Sequence, residues 1–301
     1  MKKLPAVAFA VILGLVTQAA NAMPLVDTTW VKDHLKDPGV VFLDVRSRGA
    51  FLRGHVPGAV NTQYGRGGWR VKKGNVPGML PPMAHLEKLI GGLGISNDTH
   101  VVILPGGYSS GEMGVATRIY WTFKVAGHDK LSILNGGMTI YLEDKKAPVS
   151  AGPSQPNNAV FKTAFRTEYL ATADQVGAAV KARAGLIDSR PNDQFVGVNK
   201  SGQVKRRGTL PGAVNLPGRW TTIDDGGRFR DRTTLQKLFD AVGAPTQGAT
   251  ISFCNTGHWA SLGWFVQREI LGNSRARLYD GSLAEWTRTP ANPVERKVPL
   301  D

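Results

Sequence analysis

The residue best placed to do covalent chemistry in this chain is Cys254, the single cysteine among 301 residues. It follows Ile251-Ser252-Phe253, a run with the character of a buried strand, and precedes Asn255-Thr256-Gly257-His258-Trp259. A helix-like stretch opens at Ala260. Parallel α/β sheets bind ligands at the carboxyl ends of their strands. A loop curling there turns successive backbone N–H groups inward and sits on a helix N-terminus, and both features stabilise an anion. A cysteine at the first loop position is thereby favoured as its thiolate, the nucleophilic form, and Gly257 permits the tight curl. The competing reading is an inert core cysteine. Its position, and the absence of a second cysteine, argue against that. One cysteine also excludes an internal disulfide and any cysteine-built zinc or iron–sulfur site.

Spacing separates this loop from the related loops of phosphatases and arsenate reductases. Those close with an arginine six residues after the cysteine. Here that position is Ala260, and no arginine lies within the loop. A tetrahedral phosphate would lack its bidentate guanidinium clamp.

The elements that must position Cys254 occur twice. Val40-Val41-Phe42-Leu43-Asp44-Val45-Arg46 matches Gly185-Leu186-Ile187-Asp188-Ser189-Arg190, and Pro57-Gly58-Ala59-Val60-Asn61 recurs as Pro211-Gly212-Ala213-Val214-Asn215. Val101–Pro105 aligns with Thr250–Cys254. Leu134-Asn135-Gly136-Gly137 with Tyr141 aligns with Tyr279-Asp280-Gly281-Ser282 with Trp286. Four matches in one order, each about 145–155 residues apart, indicate a duplicated domain rather than a solenoid repeat. Strands are expected at Val40–Leu43, Val101–Leu104, Ser132–Leu134, Leu186–Ile187, Thr250–Phe253 and Arg277–Tyr279. Helices are expected at Thr28–Leu35, Thr117–Val125, Thr172–Arg183, Thr233–Val242 and Ala260–Leu271, with Thr172 and Thr233 as N-caps. Such alternation implies an α/β layer fold with a mainly parallel sheet in each copy. Proline-rich Lys145–Asn158 reads as a linker. The expected division is a leader over 1–22, a first domain over 23–147, a linker over 148–159 and a second domain over 160–301.

The leader is read from Lys2 and Lys3, the apolar stretch Ala6–Val16 and the small residues of Ala20-Asn21-Ala22, which together describe a cleavable export signal. Cleavage after Ala22 would send the protein to a periplasm or to the exterior. No later stretch is long and apolar enough to cross a bilayer, so no membrane association is expected after cleavage. The composition is globular, with 42% hydrophobic and 20% charged residues. The net charge of +14 suggests anionic partners. It divides as +7 over 1–159 and +7 over 160–301 with no basic block, so nucleic-acid binding is not expected.

The duplication, the paired Asp-x-Arg, the Pro-Gly-Ala-Val-Asn repeats, the Cys254–Trp259 loop and Asp280-Gly281-Ser282-x-x-x-Trp286 together resemble tandem rhodanese-type sulfurtransferases, of the thiosulfate and 3-mercaptopyruvate kind. The resemblance covers about residues 25–295. It implies two rhodanese-like domains, each a mainly parallel sheet flanked by helices, with only the C-terminal copy catalytic. Pro105, which cannot be a nucleophile, stands where Cys254 stands. It also implies a double displacement. The Cys254 thiolate takes a sulfur atom from a small anionic donor, and a thiol or cyanide acceptor removes it. No metal or organic cofactor is implied, and a monomer is expected. The alternative is a persulfide carrier or sulfur-binding protein serving one partner.

Site roles follow as expectations. The backbone of Asn255, Thr256 and Gly257 cradles the sulfur. Arg190 either holds the donor or pairs with Asp188 to pin the loop, and its repetition as Asp44/Arg46 in the copy without cysteine favours the second role. One of Lys205, Arg206 and Arg207 stands where family members often place a donor-binding arginine. His258 either hydrogen-bonds a substrate or lies on the surface. Trp259 is expected to pack on the N-terminal domain rather than touch substrate, and Trp286 to be core. Asn255 stands where thiosulfate-preferring members often carry arginine and mercaptopyruvate-preferring ones glycine, which leaves the donor open.

Overall fold

The computed structural model describes residues 22–300; the leader read over residues 1–22 lies outside them but for Ala22. The described residues build twelve strands: β1 (Leu25–Val26), β2 (Val40–Asp44), β3 (Val60–Asn61), β4 (Val71–Lys73), β5 (Val76–Met79), β6 (His100–Leu104), β7 (Leu131–Leu134), β8 (Leu170–Ala171), β9 (Leu186–Asp188), β10 (Val214–Asn215), β11 (Thr250–Phe253) and β12 (Ala276–Tyr279). Two five-stranded sheets result, in the orders β1-β7-β6-β2-β3 and β8-β12-β11-β9-β10. Every pairing in them is parallel. The two orders are identical once the strands are matched by the sequence repeat, so the duplication is a duplication of topology. β7 and β11 are buried along their whole length, as a parallel sheet covered on both faces requires.

Helices form where caps and apolar periodicity coincide. Thr172 caps Ala173–Ala182 in a reciprocal box with Gln175. Thr233 is not a cap. Asp231 accepts from the Thr234 amide and starts the helix at Arg232, because an aspartate two residues earlier competes for the same free N–H groups. The helix expected from Thr117 begins at Ser110, with Ser109 capping it, and runs to Val125. The stretch expected as one helix from Ala260 is α-helical over Trp259–Phe265 and π-helical over Val266–Ile270.

Ser110–Val125 is buried on nearly every face, since it lies between the two sheets. Its Tyr120 meets Phe265 edge-on at 5.0 Å and Trp264 at 6.4 Å, and Thr117 Oγ1 lies 2.7 Å from Ser261 Oγ. One apolar core therefore runs from Val101 and Ile103 through Tyr120 and Trp121 to Trp264, Phe265 and Cys254. Each such large apolar side chain contributes roughly 1.5–3 kcal/mol on burial, so the two domains share their stability. The proline-rich connection is held down as well. Ala159 donates to Gly91 O, Lys162 and Asn97 bond reciprocally, and Ala164 and Arg166 donate to Ala126 O and Val125 O. The connection reaches residue 166 along the first domain before β8 begins.

Candidate active site

β11 pairs with β9 so that Phe253 lies opposite Asp188, and β6 pairs with β2 so that Leu104 lies opposite Asp44. The residue after each strand, Cys254 or Pro105, thus occupies the same place in its sheet. Cys254 is 1% exposed. Its amide donates to Ser282 Oγ at 3.1 Å, its carbonyl accepts from Leu283 N at 3.1 Å, and Asn255 O accepts from Ala284 N at 2.8 Å. The Asp280-Gly281-Ser282 turn thus anchors the base of the loop. Gly257 has φ +73°, and a Cβ there would collide with Arg118 and the Asp280 carbonyl, so only glycine suits the position. The amides of Asn255, Thr256, Gly257 and His258 donate to no acceptor among the described residues. They form an unclaimed row of donors directly after the thiol.

The far side of the loop is gripped by the other domain. Arg70 Nη2 donates to Thr256 O, and Arg70 Nε donates to Gly78 O at 2.8 Å. Arg118, fully buried, donates from Nη1 to Gly257 O at 3.2 Å and pairs through Nη2 with Asp280. The other oxygen of Asp280 accepts from Leu80 N at 2.7 Å. His258 Nε2 lies 3.2 Å from Gly111 O, and Nδ1 lies 3.2 Å from the Tyr64 hydroxyl. A carbonyl only accepts, so Nε2 carries the proton and Nδ1 accepts from Tyr64. Burial, with the nearby Arg70 and Arg118 charges, lowers the His258 pKa to about 4. Burial raises that of Tyr64, partly offset by the same two arginines. The ring is neutral and the phenol protonated at neutral pH, as the hydrogen bond requires.

Several residues expected at the site are elsewhere. Arg190 is fully buried, with Nε and Nη2 on Asp188 and Nη2 also on Gly208 O. Its Nη1 is sealed from solvent. Arg46 repeats the arrangement on Asp44 and Gly54 O, so Arg190 pins a strand end and is no donor contact. Arg206 donates to Thr287 O, Thr289 O and Pro290 O, and Arg207 to Val198 O. Both fasten loops of their own domain. Lys205 is exposed, and its amide bonds Thr287 Oγ1. Asn255 turns its side chain to Gln194 Oε1 at 2.8 Å. His258 is partly buried, and Tyr64 and Gly111 hold both its nitrogens. Trp259 walls a cavity of 360 Å³ shared by Ser109–Gly111 of one domain and Pro217–Arg219 of the other. Trp286 is core, with Nε1 on Pro293 O.

Sequence reading missed Tyr64, Arg70 and Arg118. Arg118 had a signal, as a charge inside the apolar run Val115–Val125. Arg70 had none, being 186 residues from its partner Thr256 in an irregular segment.

The family model for the rhodanese-like domain matches residues 27–144 and again 172–289. The thiosulfate sulfurtransferase of Gallus gallus is 31% identical over 269 residues, spanning 87% of this chain and 85% of that protein. Among solved structures, SseA from Escherichia coli, described by the rhodanese fold and the mechanism of 3-mercaptopyruvate sulfotransferases, superposes with a TM-score of 0.73 at 25% identity. It covers 87% of this chain and 99% of SseA. Tum1 from Saccharomyces cerevisiae shares the fold, with a TM-score of 0.76 at 19% identity over 91% of this chain and 98% of its own.

Proposed function

We propose how this chain, which belongs to the rhodanese family and is a sulfurtransferase, carries its sulfur. The Cys254 thiolate attacks the outer sulfur of an anionic donor such as thiosulfate or 3-mercaptopyruvate. In the thiosulfate case a new Sγ–S bond forms, the donor's S–S bond breaks, and its electron pair leaves with sulfite. The terminal sulfur of the persulfide then rests in the row of loop amides from Asn255 to His258. A thiol or cyanide attacks that sulfur, and the Cys254 thiolate is regenerated as leaving group. This is covalent catalysis in two easier steps. With one cysteine in the chain, no internal thiol competes for the sulfur, so the acceptor comes from outside.

The observation that supports this reading most directly is the coincidence of the single thiol with unclaimed amides at a strand end. Incubation with thiosulfate is expected to add the mass of one sulfur atom to Cys254, and cyanide to remove it. An adduct that persists in Cys254→Ser would overturn the assignment. Steady-state kinetics with thiosulfate and with 3-mercaptopyruvate rank the donors. The N-terminal domain, with Pro105 in place of the thiol, acts in this reading without a reaction of its own. Export through the leader at residues 1–22 belongs to the same proposal, and N-terminal sequencing of the mature protein checks it.

A further inference from the structure

A small sulfur donor of this kind is an anion and leaves as one, so the site that receives it beside a thiolate needs a positive charge that is free to act. An anion taken out of water without such a partner is strongly disfavoured. The catalytic-domain arginines that the sequence offers for the donor are spent. Arg190 is paired with Asp188, and Arg206 and Arg207 are bound to carbonyls. Arg118 reaches the loop, but Asp280 neutralises it.

Arg70 differs from all of these. Among the described residues it has no carboxylate partner. Its Nε and Nη2 are held by Gly78 O and Thr256 O, and its guanidinium lies 5.5 Å from the centre of the Tyr64 ring. Nη1 donates to nothing among the described residues, and the side chain is only half-buried. The two carbonyls fix the plane of the guanidinium two residues from Cys254, so little ordering is needed when a ligand arrives. Arg70 and Cys254 also lie within electrostatic reach of each other.

We propose that Arg70, from the domain without a thiol, is the binding residue for the sulfonate or carboxylate end of the donor, through its free Nη1. This rests on the sulfurtransferase reading of Cys254. It assigns the N-terminal domain a direct part in donor selection, beyond support of the fold.

The test separates the two half-reactions. Loading is followed as sulfite released in a single turnover against thiosulfate concentration. Discharge is followed as loss of a preloaded persulfide to dithiothreitol, a neutral thiol. In Arg70→Gln, loading efficiency is expected to fall roughly tenfold to a hundredfold, the range for one charge-assisted hydrogen bond. Discharge should change less than about threefold, since a neutral acceptor has no charge for Arg70 to hold. Arg70→Lys should recover part of the loading. Equal losses in both half-reactions would reassign Arg70 as a clamp on the loop alone, and unchanged loading would remove it from the site. If Arg70→Gln does not fold, the wild-type protein still decides. Thiosulfate should protect Arg70 from phenylglyoxal, read by peptide mass spectrometry, and lack of protection overturns the proposal. Absence of any sulfur adduct on wild-type Cys254 would instead bring down the sulfurtransferase reading, which the Arg70 variants leave untouched.

Discussion

The Pro105 loop and the Cys254 loop are the same backbone device put to different ends. Each begins one residue after a strand whose last residue faces an aspartate, and each runs into a helix five residues on, at Ser110 or Trp259. Each is anchored by a turn after the neighbouring strand. Met138 N and Thr139 N donate to Pro105 O and Gly106 O at 2.8 and 2.9 Å, as Leu283 N and Ala284 N donate to Cys254 O and Asn255 O. The difference lies in what fills the curl. In the first loop the Glu112 carboxylate accepts from Tyr108 N at 2.7 Å and presses on Gly106, where a Cβ would strike it. In the second, no side chain claims the amides. A parallel sheet ending in a tight turn makes an anion cradle wherever it occurs. In one copy a carboxylate from its own helix occupies the cradle, and in the other the cradle stands open beside a thiol.

The turns that anchor the loops are reciprocal as well. Asn135 Oδ1 accepts from Phe229 N of the second domain, and Asp280 Oδ2 accepts from Leu80 N of the first. Asp280 alone of the pair also meets a buried arginine. The charge follows from the partner: an aspartate is affordable in that interior because Arg118 is there.

The largest effect is expected from Cys254→Ser, which should take sulfur transfer below detection with the melting temperature little changed, measured by turnover and calorimetry. Next comes the pair that separates the two turns. Arg118→Met leaves Asp280 buried without its partner and should cost roughly 3–5 kcal/mol in urea unfolding. The double variant with Asp280→Asn, the residue type of the other turn, should recover part of that loss. A smaller effect is expected for Glu112→Gln, which weakens a charge-assisted bond to the Tyr108 amide and should cost about 1–3 kcal/mol. Because that carboxylate fills the first cradle, Pro105→Cys combined with Cys254→Ser should still form no sulfur adduct with thiosulfate. An adduct there would erase the distinction between the loops.

A separate effect is a pH dependence carried by both domains. His128 and His258 are held by burial at pKa values of about 4, below the ~6.5 of an exposed histidine. The unfolded chain therefore binds more protons between these values, and stability should fall as pH drops from about 6.5 towards 4 and not change further from this source below that. Proton uptake on unfolding measures it, and His128→Phe should flatten the slope. Since His258 stays neutral throughout, it should add no limb to the pH profile of turnover between pH 5 and 8.

Local patterns carried the fold. Strand ends at Phe253 and Leu104, the cap at Thr172 and the match of Pro105 to Cys254 are set by residues within a few positions of one another, so periodicity and turn chemistry reveal them. Even there, competition between nearby groups moved a boundary, as Asp231 displaced Thr233 and Ser109 drew the central helix seven residues beyond its apolar run. Cys254 stood out because a nucleophile at a strand-to-helix turn is a local arrangement too. The surroundings of the thiol are not local. Arg190, Arg206 and Arg207 have the right chemistry and the right neighbourhood in the chain, yet each is bound to an aspartate or a carbonyl that folding brings closer. Tyr64 and Arg70 come from 194 and 186 residues away from the loop residues they bond. Sequence by itself determined the two sheets, their repeated loops and the thiol at the end of β11. Only the tertiary structure decided which charges face the Cys254 loop. Side-chain direction and partner choice are settled by the packing of the two domains on Ser110–Val125, and no spacing within either copy encodes that geometry.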